Sequence, residues 1–290
     1  MCDRTDLANF DRLGWTRRGF GMAGITGALG IGLAGCSTMA SGDIDGLHQR
    51  NVSFSTADGT LDGILIAPVE GRHPAVIMWP DIAGVRPAKV MMARRTAADG
   101  FAVLLVNPYY RDVTGQQFED FAAFRESGGF EKVGPWRGKL KADAIRSDTR
   151  AIVDWLDGQG EVDTTRGIGT EGYCMGGPFT VWSAVGRPDR VRAATSFHGG
   201  GLAEVGNPNS PHNLLGQSRA AHLFAIAQND DAKEPDAKDR LRAAAEKADL
   251  VYELEVYGAD HGWMVPDSPA YSQAEAERGY ARKMAFYDRL

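Results

Sequence analysis

The sequence predicts an α/β fold, a mostly parallel, doubly wound sheet with helices packed on its faces. Three observations lead there. Two short apolar runs, 74–79 and 101–106, lack any polar alternation, as strands covered on both faces do. From the first of them to the end of the chain, strand-like and helix-like segments alternate. Midway, a glycine-bracketed turn, Gly172-Tyr173-Cys174-Met175-Gly176-Gly177, joins a short strand to a helix.

In chain order, residues 1–40 read as an address rather than as part of a core. Arg17-Arg18 precedes an uncharged run, 21–35, rich in Gly, Ala, Ile and Leu, the grammar of a twin-arginine export signal. The run is too short and too Gly-rich for a membrane-spanning helix. It closes on Leu33-Ala34-Gly35-Cys36, which resembles the lipobox of bacterial lipoproteins, where Cys36 becomes the lipid-bearing first residue. Cleavage near 37–40 and an uncleaved anchor are the competing readings. The expected location is the periplasmic face of a membrane, through a lipidated N-terminus, or the soluble periplasm.

One α/β domain is expected over 45–290. Segments 52–55 and 61–67 flank Ala57-Asp58-Gly59-Thr60, a hairpin signal. After the strand at 74–79, a helix over 87–99 has Pro87 in its first turn and Gly100 at its stop. The strand at 101–106 ends at Asn107-Pro108. Residues 109–138, rich in Phe, Gly and charge, read as irregular with one short helix, near the mouth of a site and suited to a lid. Ala144, Ile145, Ala151, Ile152, Trp155 and Leu156 have helical spacing within 141–156. Further strands are expected at 191–197, 221–227 and 251–257, with helices at 235–248 and 268–290.

Composition excludes several classes. Hydrophobic content of 43% and charged content of 24% suit a soluble globular body. A net charge of -6 without any Lys/Arg block argues against a nucleic-acid partner. The six histidines are scattered without ligand spacing, so no metal or other cofactor is expected. Of three cysteines, Cys2 precedes the export signal and Cys36 ends it. Cys174 alone remains in the body, where a lone thiol is a reactive liability.

The pattern Gly172-x-Cys174-x-Gly176 is the nucleophile elbow of α/β-hydrolases with cysteine in place of serine. Glycines let strand and helix close on one another and lift the sulfur into the open. A buried structural cysteine beside a Gly-rich turn is the alternative. Ligands of such sheets bind beyond the carboxyl ends of the strands. Polar residues stand at four predicted strand ends: Asp81, Cys174, Asp230 or Asp231, and His261. Their order, nucleophile, acid, histidine, is again that of α/β-hydrolases.

On Gly172-Tyr-Cys-Met-Gly176 and Asp260-His261-Gly262, the chain from about residue 50 onward resembles the dienelactone hydrolase family of α/β-hydrolases. The resemblance implies hydrolysis of an ester or lactone through a triad of Cys174, Asp230 and His261, with Asp231 as the runner-up acid. It implies an oxyanion hole from the N–H groups of Met175 and Ile82. Asp81 stands where the family carries a Glu that gates the resting cysteine. Relatives that cleave dienelactones hold the substrate carboxylate with arginines, one just after the catalytic histidine. Here Gly262-Trp-Met-Val-Pro266 contains none, and Arg111, with Tyr110 and Trp263, is the candidate substrate contact. A thioesterase or broader carboxylesterase on the same scaffold, and a non-catalytic lipid-anchored binding protein, are the alternative functions.

Overall fold

The buried run expected at 74–79 lies at the middle of the sheet, because only a strand covered on both faces can be apolar throughout. The structure, a computed structural model, describes residues 42–290; the expected export signal and the expected lipidation site Cys36 lie outside the described residues. Among those residues nine strands form one sheet. They are β1 (Gly42–Ile44), β2 (Leu47–Thr56), β3 (Gly59–Pro68), β4 (Ala75–Trp79), β5 (Ala102–Val106), β6 (Ile168–Tyr173), β7 (Val191–Phe197), β8 (Ala221–Ala227) and β9 (Tyr252–Tyr257). The order across the sheet is β1-β2-β3-β5-β4-β6-β7-β8-β9. β1, β2, β3 and β5 pair antiparallel; from β5 through β4 to β9 every pairing is parallel. The β2–β3 hairpin is longer than its apolar residues suggest, with Thr56 opposite Gly59, because main-chain pairing carries on through polar positions that face water.

Alternate residues of the central strands feed two cores. Ile77, Trp79, Leu104 and Val106 face α4 (Ala142–Leu156) and α5 (Gly177–Gly186). Val76, Met78, Val103 and Leu105 face α1 (Pro87–Ala98) and the closing α9 (Gln273–Tyr287). The expected irregular segment instead holds two short helices, α2 (Phe121–Glu126) and α3 (Gly129–Arg137). Asp120 caps the first by accepting from Ala123 N at 2.6 Å. Phe118, Phe121 and Phe130 surround the fully buried Phe124, which gives the segment a core of its own. After the short α6 (Pro211–Leu214), an unexpected short helix, α7 (Gln228–Lys233), precedes α8 (Ala237–Lys247), the helix expected over 235–248. Pro235 disfavours helical backbone at Glu234, whose φ is -133° and ψ 69°. The closing helix starts later than residue 268 because the preceding residues fold back, Ser272 N donating to Trp263 O at 3.1 Å.

β6 passes through a tight turn, Cys174–Gly176, directly into α5. Close approach makes the glycines necessary. A Cβ on Gly172 would lie 2.0 Å from Gly176 O, and one on Gly176 would lie 2.6 Å from Trp79 O. Among the described residues no helix is long and apolar enough to cross a membrane. Since backbone atoms cannot swing aside as a side chain does, Gly176→Ala should lower stability by about 1–3 kcal/mol, read from urea unfolding of the variant against the parent.

Candidate active site

Three strand ends bring the site together. Cys174 leaves β6 with φ of +53°, a strained conformation for a residue with a Cβ, and is 2% exposed. His261 follows β9, with its backbone N–H donating to Asn229 Oδ1 at 2.8 Å. Asp230 stands in the first turn of α7, at the end of β8, with Oδ2 2.6 Å from His261 Nδ1. Its neighbour Asp231 turns away to Lys238, whose Nζ lies 2.7 and 2.8 Å from the carboxylate. His261 also hydrogen-bonds Cys174. Burial by itself would lower the His261 pKa; the Cys174 thiolate and the hydrogen bonds to Asp230 and Cys174 outweigh it and push the group up to about 10. The arrangement favours a thiolate–imidazolium pair.

Behind the cysteine lies a buried set of charges. Arg86, wholly buried, grips two carboxylates: Asp81 at 2.7 and 2.9 Å, and Asp267 at 2.7 and 2.8 Å. Lys89 Nζ lies 3.0 Å from Asp81 and 4.1 Å from the centre of the Tyr173 ring. Burial opposes ionisation of Asp81, yet the Arg86 and Lys89 charges overcome it and hold its carboxyl well below the usual range. The residue expected to gate the cysteine is thus saturated, with Ala83 N–H donating to it as well at 3.0 Å. A gate needs a carboxylate free to exchange partners, and here two cations and a backbone N–H already hold it.

Ile82 and Met175, expected to form the oxyanion hole, meet at one cavity and are linked by Tyr109. Its hydroxyl donates to Ile82 O at 2.8 Å and lies 3.4 Å from Met175 Sδ. That cavity, about 380 Å³, is walled by Phe179 and Trp182, with Arg137 and Lys141 at its edge. A volume of this size suits a small organic molecule.

The three expected substrate contacts are engaged elsewhere. Arg111 makes a two-pronged pair with Asp148 at 2.8 and 2.9 Å and reaches Asp58 at 2.6 Å. Tyr110 donates to Asp148 at 2.6 Å. Both therefore fasten the β2–β3 hairpin to α4, since a buried carboxylate must be paired. Trp263 is fully buried and stacked on Tyr257, with ring centres 4.6 Å apart, so its bulk belongs to the core behind the His261 loop. Arg86, Lys89, Asp267, Tyr109 and His198 are the site residues that sequence reasoning missed. His198 was detectable, being a polar residue directly after a predicted strand.

A sequence model of the Dienelactone hydrolase family matches residues 61–290. The chain belongs to that family. It is a hydrolase. A carboxymethylenebutenolidase of Pseudomonas sp. (strain P51) is 24% identical over 235 residues, covering 80% of this chain and 91% of that protein. Among solved structures, a dienelactone hydrolase-like promiscuous phosphotriesterase from metagenomic libraries superposes with a TM-score of 0.64 at 20% identity, over 84% of this chain and 99% of the other. The dienelactone hydrolase of Anabaena variabilis ATCC 29413 gives 0.57 at 18% identity, over 84% and 99%. Both structures share the α/β-hydrolase fold of the family.

The raised His261 pKa has a measurable consequence. Stability from the charged imidazole is complete below its unfolded value of about 6.5 and is lost as pH rises through about 10. Alkylation of Cys174 by iodoacetamide should accordingly be nearly independent of pH between about 7 and 9 in the parent protein. In His261→Ala it should climb with pH toward a free-thiol midpoint of about 8.5.

Proposed function

We propose that the protein hydrolyses a small carboxylic ester or lactone, as carboxymethylenebutenolidases do, through Cys174, His261 and Asp230 and an acyl-enzyme. The observation that carries this reading is Cys174, raised on a left-handed turn and hydrogen-bonded to a histidine whose other ring nitrogen meets Asp230 at 2.6 Å. The thiolate adds to the carbonyl carbon, and the N–H groups of Ile82 and Met175 receive the developing oxyanion. As the C–O bond breaks, the His261 imidazolium protonates the departing oxygen; in a lactone that oxygen stays attached and the ring opens. The now neutral His261 removes a proton from water, which displaces the sulfur. Asp230 keeps the ring in one tautomer and steadies its charged form.

The aromatic walls of the 380 Å³ cavity also leave room for a bulkier acyl or alcohol group, which supports a broader carboxylesterase as the second reading. A series of p-nitrophenyl esters of increasing chain length separates the two: activity confined to the shortest members favours the lactone, and a maximum at intermediate length the esterase.

Turnover of p-nitrophenyl acetate and of a dienelactone should fall at least about 1,000-fold in Cys174→Ala. Equal rates in variant and parent would remove the cysteine mechanism.

We further propose that the mature protein is exported and anchored by lipid at Cys36, on the strength of Arg17-Arg18, the apolar run and Leu33-Ala34-Gly35-Cys36 in that order. Fractionation of cells expressing the full chain should place it in the membrane pellet, and Cys36→Ala should leave the pellet or keep the precursor mass. Cytoplasmic recovery of both forms at the same mass would refute export.

A further inference from the structure

His198, the residue after β7, bears on the second half of the reaction and rests on the acyl-enzyme reading above. Four non-glycine residues among those described have positive φ: Asp45, Cys174, His198 and Asp249. The two aspartates lie in exposed turns, where short polar side chains tolerate that conformation. Cys174 and His198, with φ of +53° and +39°, are both buried, and they face each other across the site. Backbone bonds hold His198 there: its N–H donates to Ala225 O at 2.7 Å, and Gly200 N–H donates to Cys174 O at 3.4 Å.

The imidazole is 1% exposed, yet neither of its ring nitrogens meets another residue at hydrogen-bond distance. Burying two polar atoms unpaired is destabilising, and packing does not require them. The ring stands edge-on to His261 with centres 5.0 Å apart, and edge-on to Trp263 at 5.8 Å, contacts that a phenyl ring would make equally well. Asp81, Cys174, His198, His261 and Ser268 share a cavity of about 10 Å³, close to the space one water occupies. Burial, the neighbouring His261 and Lys89 keep the His198 pKa well below its ordinary value. The ring is therefore neutral and offers one donor and one acceptor.

We propose that His198 positions the hydrolytic water between His261 and the acyl-thioester. In that step the water oxygen bonds to the carbonyl carbon and its proton passes to His261 Nε2. The C–S bond then breaks, its electron pair returning to Cys174 as thiolate while the product leaves as the carboxylic acid. His198 exchanges no proton; it orients the attacking lone pair.

Stopped-flow hydrolysis of p-nitrophenyl acetate by the parent, His198→Phe and His198→Gln tests this. His198→Phe, which keeps the packing, should retain the burst while its steady-state rate falls on the order of 100-fold. Acetyl-Cys174 should then accumulate in intact-mass spectra. Hydroxylamine, a strong nucleophile that needs no oriented water, should restore turnover, and His198→Gln should retain more activity than the Phe variant. A thermal melt of each variant identifies any loss that is only unfolding, and if the Phe variant fails to fold, the Gln variant carries the same readouts. Burst and steady state falling together, or neither changing, would overturn the role. A parent enzyme that forms no acyl-cysteine at all would overturn the acyl-enzyme reading instead, and this role with it.

Discussion

Everything at the carboxyl end of the sheet depends on cancelling the charge buried there. Asp81, Arg86 and Lys89 sit almost wholly out of water, with Asp267 mostly so, beside Cys174 and His261. An isolated ion in such a place would be far too costly, so each charge has to be met by another at hydrogen-bond distance. Arg86 does most of this, because a planar guanidinium can grip two carboxylates in two-pronged fashion, which an ammonium cannot. Its partners come from distant parts of the chain. Asp81 follows β4, whereas Asp267 lies on the loop behind His261 and also accepts from Phe121 N at the start of α2. One salt-bridge set thus ties the end of β4, the histidine loop and the start of α2 together.

The elbow concentrates strain at the sulfur. The turn after β6 is tight enough that side chains on Gly172 or Gly176 would strike main-chain atoms, and Cys174 itself adopts a backbone conformation that a Cβ disfavours. Such strain persists only where the surroundings over-determine it. Here the surroundings are the central strands β4, β6 and β7, on which the turn is mounted. Rigid strands behind a strained turn hold the sulfur where His261 can reach it, and the same strands carry His198 to the opposite side.

The inserted segment between β5 and α4 borders two cavities, Phe121 the small one at Cys174 and α3 the large one beside it. Its phenylalanines pack on one another, and α3 places Arg137 at the edge of the large cavity. The arginine expected to meet substrate, Arg111, belongs to the same segment but spends its charge on Asp148 and Asp58. Of these two arginines, Arg111 is thus taken up by carboxylates while Arg137 borders the cavity.

The buried strands, the elbow and the polar residues at strand ends were legible in the sequence, because they follow from local rules. A strand covered on both faces must be apolar throughout, a tight turn must shed its Cβ atoms, and a parallel sheet presents its carboxyl ends on one side. The family followed from the same residues. Pairing was not legible. No local rule could tell that Asp231 lies nearer Lys238 while Asp230 meets His261, that Arg111 is already paired, or that Trp263 fills a core. Nor could it show that Arg86, five residues after Asp81, turns back to hold it. Those outcomes depend on which distant side chains share a low-dielectric space, where each charge needs a partner and each ring a neighbour. Only the folded chain, by bringing residues more than a hundred positions apart within 3 Å, as Arg86 and Asp267 are, decides them.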